Sequence, residues 1–307
     1  MKDISRLMQN SLDEKVISPK TFILSGKIIN FMPRRQSKKK FYLTGFLIIA
    51  IVIGAYIYSG YASEQGMLEE IGKPIPSSYY SVFSSVSGYY GLPNTSYSSI
   101  FYRINGTQFF PNQTFPLTVH HKLLIVYVGA EWCPFCAAER WALVIALSRF
   151  GEFSNLHFMI SSPNDVFPNT PTVTFYNSTY TSNYICFQYY EYQNRSHGAL
   201  MSVPQNYSSV WKDFHSSIPF IMIGGELVQN GSSVNPGLIN GQSWSYVVSQ
   251  LQGNTQFRQQ VIDSANEITA AACSMDGGQP SSVCNEPTIK DLNQLLQLEY
   301  FGDQVIG

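Results

Sequence analysis

The stretch LLIVYVGAEWCPFCAAERWAL, Leu123 to Leu143, runs a continuous apolar segment of strand length into a glycine and then a pair of cysteines two residues apart. Six consecutive apolar residues from Leu123 to Val128 read as a central strand buried on both faces. Gly129 ends it. Pro134 suits the first position of a helix, the apolar residues Trp141, Val144, Ile145 and Leu147 supply its face, and Gly151 stops it after about Phe150. A strand, a tight junction and a helix are therefore required around Cys133 and Cys136.

Three chemistries use a Cys-x-x-Cys pair: a redox centre, half of a metal site, or a structural disulfide. A structural zinc site needs four ligands, and none of the other three cysteines forms a second close pair. His120 and His121 are adjacent on an expected strand and would point to opposite faces, which makes them poor chelators. Redox chemistry suits the placement better. At the N-cap, Cys133 meets unpaired backbone N–H groups and the positive end of the helix dipole, which favour thiolate over thiol. Cys136, one turn on, can resolve a mixed disulfide by attacking Cys133. A structural disulfide remains the rival reading.

Charge divides the chain. Residues 1–40 hold ten Lys and Arg, Arg34, Arg35, Lys38, Lys39 and Lys40 among them, against Asp3, Asp13 and Glu14. The remainder carries nine bases and 17 acids, which argues against a nucleic-acid partner. Between the two lies FYLTGFLIIAIVIGAYIYSGY, Phe41 to Tyr61, without a charged side chain. Its length matches the roughly 20 apolar residues of a bilayer-spanning helix. The expectation is one uncleaved transmembrane helix over 41–61, lipid its partner, with a basic cytoplasmic tail over 1–40 and an extracytoplasmic remainder where disulfides persist. Seven Asn-x-Ser/Thr sequons, at Asn94, Asn105, Asn112, Asn177, Asn194, Asn206 and Asn230, lie beyond that run and are candidate glycosylation sites.

The Ser-, Tyr- and Asn-rich segment 62–118 reads as short strands or an extended stalk whose aromatics pack on the next domain. From 119 to 252 the order is β, α, β (LHFMISS), strand candidates TVTFYNSTY and YICFQYYEYQ, a helix near Ser208 to His215, a Pro-led strand pair IPFIMIGGELVQNG, and the helix WSYVVSQL. That order fits an α/β domain with a mixed sheet. Residues 253–307 read as a helical extension, with helices QFRQQVIDSANEITAAAC and IKDLNQLLQL around a turn-rich link bracketed by Cys273 and Cys284. This last pair reads as a structural disulfide, its rival a second redox pair. Cys186 is left over, an inert buried thiol or an intermolecular partner.

AEWCPFC, with Trp132 directly before Cys133, resembles the thioredoxin-superfamily active site, and SIPF followed by GGE resembles the cis-proline loop of that superfamily. The resemblance implies a thioredoxin-like mixed sheet with helices on both faces, a cis Pro219, and an Ile218 backbone beside Cys133 where a substrate strand can pair. More closely, GAEWCPFCAAERWALVIALSRFG, the Ile218-Pro219 segment and ANEITAAACSMDGGQPSSVC resemble the archaeal and actinobacterial membrane-anchored family known as domain of unknown function 929, from about Met67 to Cys284.

Two departures from thioredoxin stand out. Tyr127 takes the place of a buried Asp six residues before the first cysteine, and its reference pKa is too high for a comparable base. Deprotonation of Cys136 then falls to another group, Glu131 or Glu139, each of which has the plainer reading of a solvated acid. Also, 82 residues separate Cys136 from Pro219, so an insertion containing Asn177 and Asn194 lies between them. The expected function is thiol-disulfide exchange with secreted or surface proteins, needing no cofactor or metal, with an unidentified electron donor or acceptor. The alternative is a non-catalytic envelope glycoprotein or binding module whose cysteines are locked.

Overall fold

The computed structural model describes residues 38–91 and 101–302, which divide into two units between Ile57 and Tyr58. Helix α1, Lys38–Glu70, carries the uncharged run. The expected transmembrane helix is not found: among the described residues no helix is long and apolar enough to cross a membrane. Large apolar side chains concentrate in Phe46–Ile53, about 12 Å of helix rise against roughly 30 Å of hydrocarbon. Exposed Tyr42, Tyr56 and Tyr58 and glycines 45 and 54 flank this patch. The bilayer partner, the cytoplasmic tail and the extracytoplasmic address, all deduced from that span, are withdrawn with it. Most of the basic tail, residues 1–37, lies outside the described residues.

The second unit is a mixed α/β fold. Helix α2, Ser77–Ser87, stands where short strands or a stalk were expected. Its Ser and Tyr residues have modest helix propensity, but Phe83 and Val86 are buried, and Phe83 meets Trp141 edge-on with centroids 6.0 Å apart. Tertiary packing outweighs local preference here. Next come strand β1, Phe101–Arg103, the one-turn helix α3, Gly106–Phe109, and β2, Thr118–Val119. β2 turns into β3, Lys122–Gly129, through His120 and His121, both at positive φ (51° and 61°). The two histidines are thus the central residues of a tight hairpin, a position that calls for left-handed backbone.

Strand β3 organises the sheet. It pairs in parallel with β8, Ile185–Glu191, from Leu123↔Ile185 to Gly129↔Glu191, and antiparallel with β9, Phe220–Ile223. β9 turns at Gly224 and Gly225, at φ 61° and 75°, into β10, Leu227–Asn230, which pairs with β1. Side chains alternate along β3. Leu123, Ile125 and Tyr127 join the larger core cluster, and Leu124, Val126 and Val128 a second one with Tyr207 and Val210 of α5, Gln205–Asp213. Each of the aliphatic ones contributes about 1.5–3 kcal/mol by leaving water.

Helix α4, Pro134–Leu147, follows β3 and is buried at every position except Phe135. A helix apolar nearly all round must be enclosed on all sides. One wall is the core-facing side of β3. The others include α2 and the long helix α7 (Gln256–Met275), whose Ala265 and Ala270 to Ala272 allow close approach, and the helix α6 (Trp244–Gln252) packs on both of these.

Between α4 and β8 lie β4, Gly151–Ser154, paired with β7, Thr179–Ser182, and β5, His157–Ile160, paired with β6, Pro171–Thr174. LHFMISS therefore forms a ribbon with β6, and the parallel neighbour of β3 is β8. At the far end, Cys273 of α7 and Cys284 of α8, Ser281–Cys284, form a disulfide ahead of α9, Pro287–Gly302.

Two stability measurements follow. Cys273→Ser/Cys284→Ser opens a loop with a sequence separation of 11, which should lower the unfolding free energy by about 3 kcal/mol. Urea titration checks this, and an unmoved midpoint would mean that α7 and α8 hold together without the bond. At Gly129 a Cβ would run into both the hydroxyl and the ring of Tyr127, so Gly129→Ala should destabilise by about 1–3 kcal/mol in the same urea titration, with partial recovery in Gly129→Ala/Tyr127→Leu, which removes the ring edge.

Candidate dithiol site

Cys133 is the N-cap residue of α4, with φ −78° and ψ 121°, and its Sγ accepts the Cys136 backbone N–H at 3.1 Å. Both sulfurs are free thiols. Cys133 is 3% exposed and Cys136 0%, packed with Ala130 and flanked by half-buried Trp132, Tyr192 and Ile218. The Ile218-Pro219 peptide is cis. That loop, which the thioredoxin-superfamily resemblance implied would lie beside Cys133, brings Ile218 onto the cysteine cluster.

The two sulfurs differ in acidity. Burial pushes the Cys133 thiol up, but hydrogen bonds from the Cys136 thiol and N–H, the Arg140 charge and the Phe135 N–H outweigh it and hold the thiol below its ordinary value. Cys136 goes the other way. Burial, its hydrogen bond to Cys133 and the neighbouring negative charge raise it well above the ordinary thiol range, with Arg140 opposing. One sulfur is prepared as thiolate and the other kept protonated.

Beneath the pair lies an ion pair that sequence reasoning missed. Arg140 donates through Nε to Glu191 Oε1 (2.8 Å), through Nη2 to Glu191 Oε2 (2.6 Å), and through Nη2 to the Ala130 carbonyl (2.8 Å). Both side chains are fully enclosed. The register of β3 with β8, which places Glu191 opposite Gly129, brings the carboxylate to the foot of the helix. A signal existed: Arg140 lies four residues after Cys136, on the same helix face, in a run whose one other charged residue is Glu139.

Tyr127 is wholly buried, its ring edge-on to Phe175 at 5.3 Å, with the Arg140 guanidinium carbon 5.9 Å from its centroid. Burial raises its pKa well above 10, reinforced by charge on Cys136, Glu191 and Cys133 and opposed by Arg140. It stays a neutral phenol. Glu131 is also buried; its Oε1 accepts the Thr174 hydroxyl at 2.8 Å, and burial first, then the Glu191 charge, raises its pKa. Trp132 stacks on His197 at 4.6 Å and donates to Gln193 at 2.9 Å.

Glu139 is neither a surface acid nor a group directed at Cys136. It is fully buried and accepts hydrogen bonds from Gln229 (2.8 Å), Ser264 (2.6 Å), the Ser232 hydroxyl (2.7 Å) and the Ser233 N–H (3.2 Å). Burial raises its pKa and the four donors oppose the rise. Its carboxylate joins α4 to α7 and to the segment after β10. Cys186, on β8, is half-buried among the aromatics of the second cluster.

Of the sequons, Asn94 lies outside the described residues, while Asn105, Asn112, Asn177 and Asn206 are exposed. Asn105 caps α3. Asn194 holds a turn by accepting the Ser196 and Gly198 N–H groups at 2.9 Å each. Asn230 is half-buried with its side-chain oxygen enclosed, which leaves it the least room for a glycan. Among the described residues no group of three or more His, Cys, Asp or Glu is placed to hold a metal ion.

Fold and site together define a mixed α/β protein with a Cys-x-x-Cys dithiol at a helix N-terminus. The chain belongs to the family described as Domain of unknown function (DUF929), whose model matches residues 108–206 and 191–274, together more than half of its length. No curated protein and no solved structure matches it.

The unequal acidities give a direct test. In the reduced protein, iodoacetamide labelling followed by peptide mass spectrometry should find Cys133 reacting with a midpoint below the ordinary thiol pKa of about 8.5. Labelling falls only as pH drops through that lowered value, while Cys136 stays unlabelled. Cys136 titrating ahead of Cys133 would contradict the assignment.

Proposed function

We propose that this chain is a thiol-disulfide oxidoreductase acting on protein thiols and disulfides. The observation that carries the reading is the Cys136 N–H held 3.1 Å from Cys133 Sγ at the start of a buried helix, a geometry that favours thiolate at the first sulfur. The Cys133 thiolate attacks a disulfide of the partner, forming a mixed disulfide and releasing one partner thiolate. Cys136 then attacks Cys133 Sγ, the Cys133–Cys136 disulfide forms, and the second partner sulfur leaves, taking up the proton given by Cys136. The dithiol is oxidised by two electrons and the partner disulfide reduced by two; the reverse sequence oxidises a partner. No cofactor takes part in either direction.

Supporting this reading is the resemblance of the CPFC junction to the thioredoxin-like superfamily, together with the cis Ile218-Pro219 loop against the cysteine cluster. In that reading the Ile218 backbone lies where an extended partner segment can pair alongside the sulfurs. The partners are proteins with accessible thiols or disulfides. Exposed Phe135, edge-on to Phe167 at 5.7 Å, gives such a segment an apolar contact beside the dithiol.

Trapping decides the matter. Cys136→Ser should accumulate mixed disulfides through Cys133, seen as adducts on non-reducing gels that dithiothreitol dissolves, whereas Cys133→Ser/Cys136→Ser should yield none. Absence of Cys133 adducts from folded Cys136→Ser, with either a disulfide-bearing peptide or a cell extract, returns the pair to a structural role.

A further inference from the structure

Arg140 is one helical turn beyond Cys136, with no solvent exposure, and is held in a fixed orientation by three hydrogen bonds: two to Glu191 and one to the carbonyl of Ala130, the residue packed against both cysteines. Its Nη1 has no partner among the described residues. A guanidinium buried with one donor group unspent is expensive to maintain unless a nearby charge uses it. The groups nearest to it are the two cysteines, packed on the Ala130 whose carbonyl Arg140 holds at 2.8 Å, and Tyr127, whose ring centroid lies 5.9 Å from the guanidinium carbon.

Resting on the oxidoreductase reading, we infer that Arg140 is a positioning residue for the exchange: its guanidinium, anchored by Glu191, supplies the positive charge that steadies the sulfur bearing negative charge in each step. During attack that sulfur is Cys133. During resolution the negative charge grows on Cys136 as its proton departs, and the same fixed cation faces it without reorganisation. Glu191 fixes the direction of the guanidinium and partly cancels its charge, so the two residues act on the dithiol with opposite sign.

Other ionisable groups face this centre from several elements: Tyr127 on β3, Glu131 in the junction before α4, Glu191 at the end of β8, Tyr192 just after it, and His197 stacked on Trp132. All of them are unchanged in the comparison that follows, apart from Glu191 itself.

The test uses opposite signs. Glu191→Gln keeps the cation and removes its counter-charge; Arg140→Met/Glu191→Gln removes both charges and leaves no unpaired buried ion. Cys133 labelling by iodoacetamide against pH, resolved by peptide mass spectrometry, should give a midpoint below wild type for the first and above it for the second. Resolution of a Cys133 mixed disulfide formed with oxidised glutathione should be at least ten-fold slower at neutral pH in the double variant. Arg140→Lys, which preserves charge but not the fork, should recover most of that loss. Midpoints that shift in the same direction, or do not shift, overturn the inference, because a purely structural pair has no reason to move them oppositely. Cys136→Ser provides the separate control: if its Cys133, with no resolving thiol beside it, forms no glutathione adduct, the oxidoreductase reading fails first, whereas adducts with unmoved midpoints defeat only the role of Arg140.

Discussion

The enclosed pair of Arg140 and Glu191 ties together the parts that matter most. Arg140 belongs to α4, Glu191 ends β8, and the Ala130 carbonyl lies in the junction after β3, so three separate segments meet in one hydrogen-bonded unit. A buried ion pair is seldom a large net source of stability, because desolvating two charges offsets most of their attraction. Its effect here is geometric. It sets the rotation of α4 relative to β3 and β8, which fixes where the N-cap sulfur sits and what charge it feels.

Around that unit the packing is apolar and close. β3 carries buried side chains on both faces, and α4 is enclosed on nearly its whole circumference. With the body of the helix walled in and Cys133 only 3% exposed, the N–H groups of its first turn act on that sulfur in a setting of lower dielectric than a surface, where each is worth more.

Local signals made the strand to Gly129, the helix from Pro134 and the Pro-led strand pair legible, because each is written in consecutive residues: an apolar run, a helix-starting proline, a Gly-Gly turn. The cis-proline loop came from resemblance, and the roles proposed for Cys133 and Cys136 from resemblance and chemistry together. The pairing of Arg140 with Glu191 was not legible, although Arg140 itself carried a signal, because the two are 51 residues apart and joined only by the β3–β8 register. Glu139 was misjudged for the same reason, since all four of its donors lie 90 or more residues away. Helix α2 was misread because its local composition opposes the structure that burial of Phe83 and Val86 imposes. The supposed membrane span rested on run length and flanking charge, and the helix found there is not apolar over enough of its length.

The Glu139 cage also redraws where the working protein ends. Sequence composition placed a boundary near residue 252, making all that follows an appendage. Yet Ser264 of α7 donates to the carboxylate of the residue three positions after Cys136, and the Phe257, Val261 and Ile268 side chains close the same core as Trp141 and Leu143. Mechanically, α7 is the back plate of the helix that carries the cysteines. Changes in the C-terminal third, the disulfide-bonded turn included, are therefore felt at the sulfurs through a rigid path of packed side chains, and the smallest autonomous unit of this fold reaches at least to Met275.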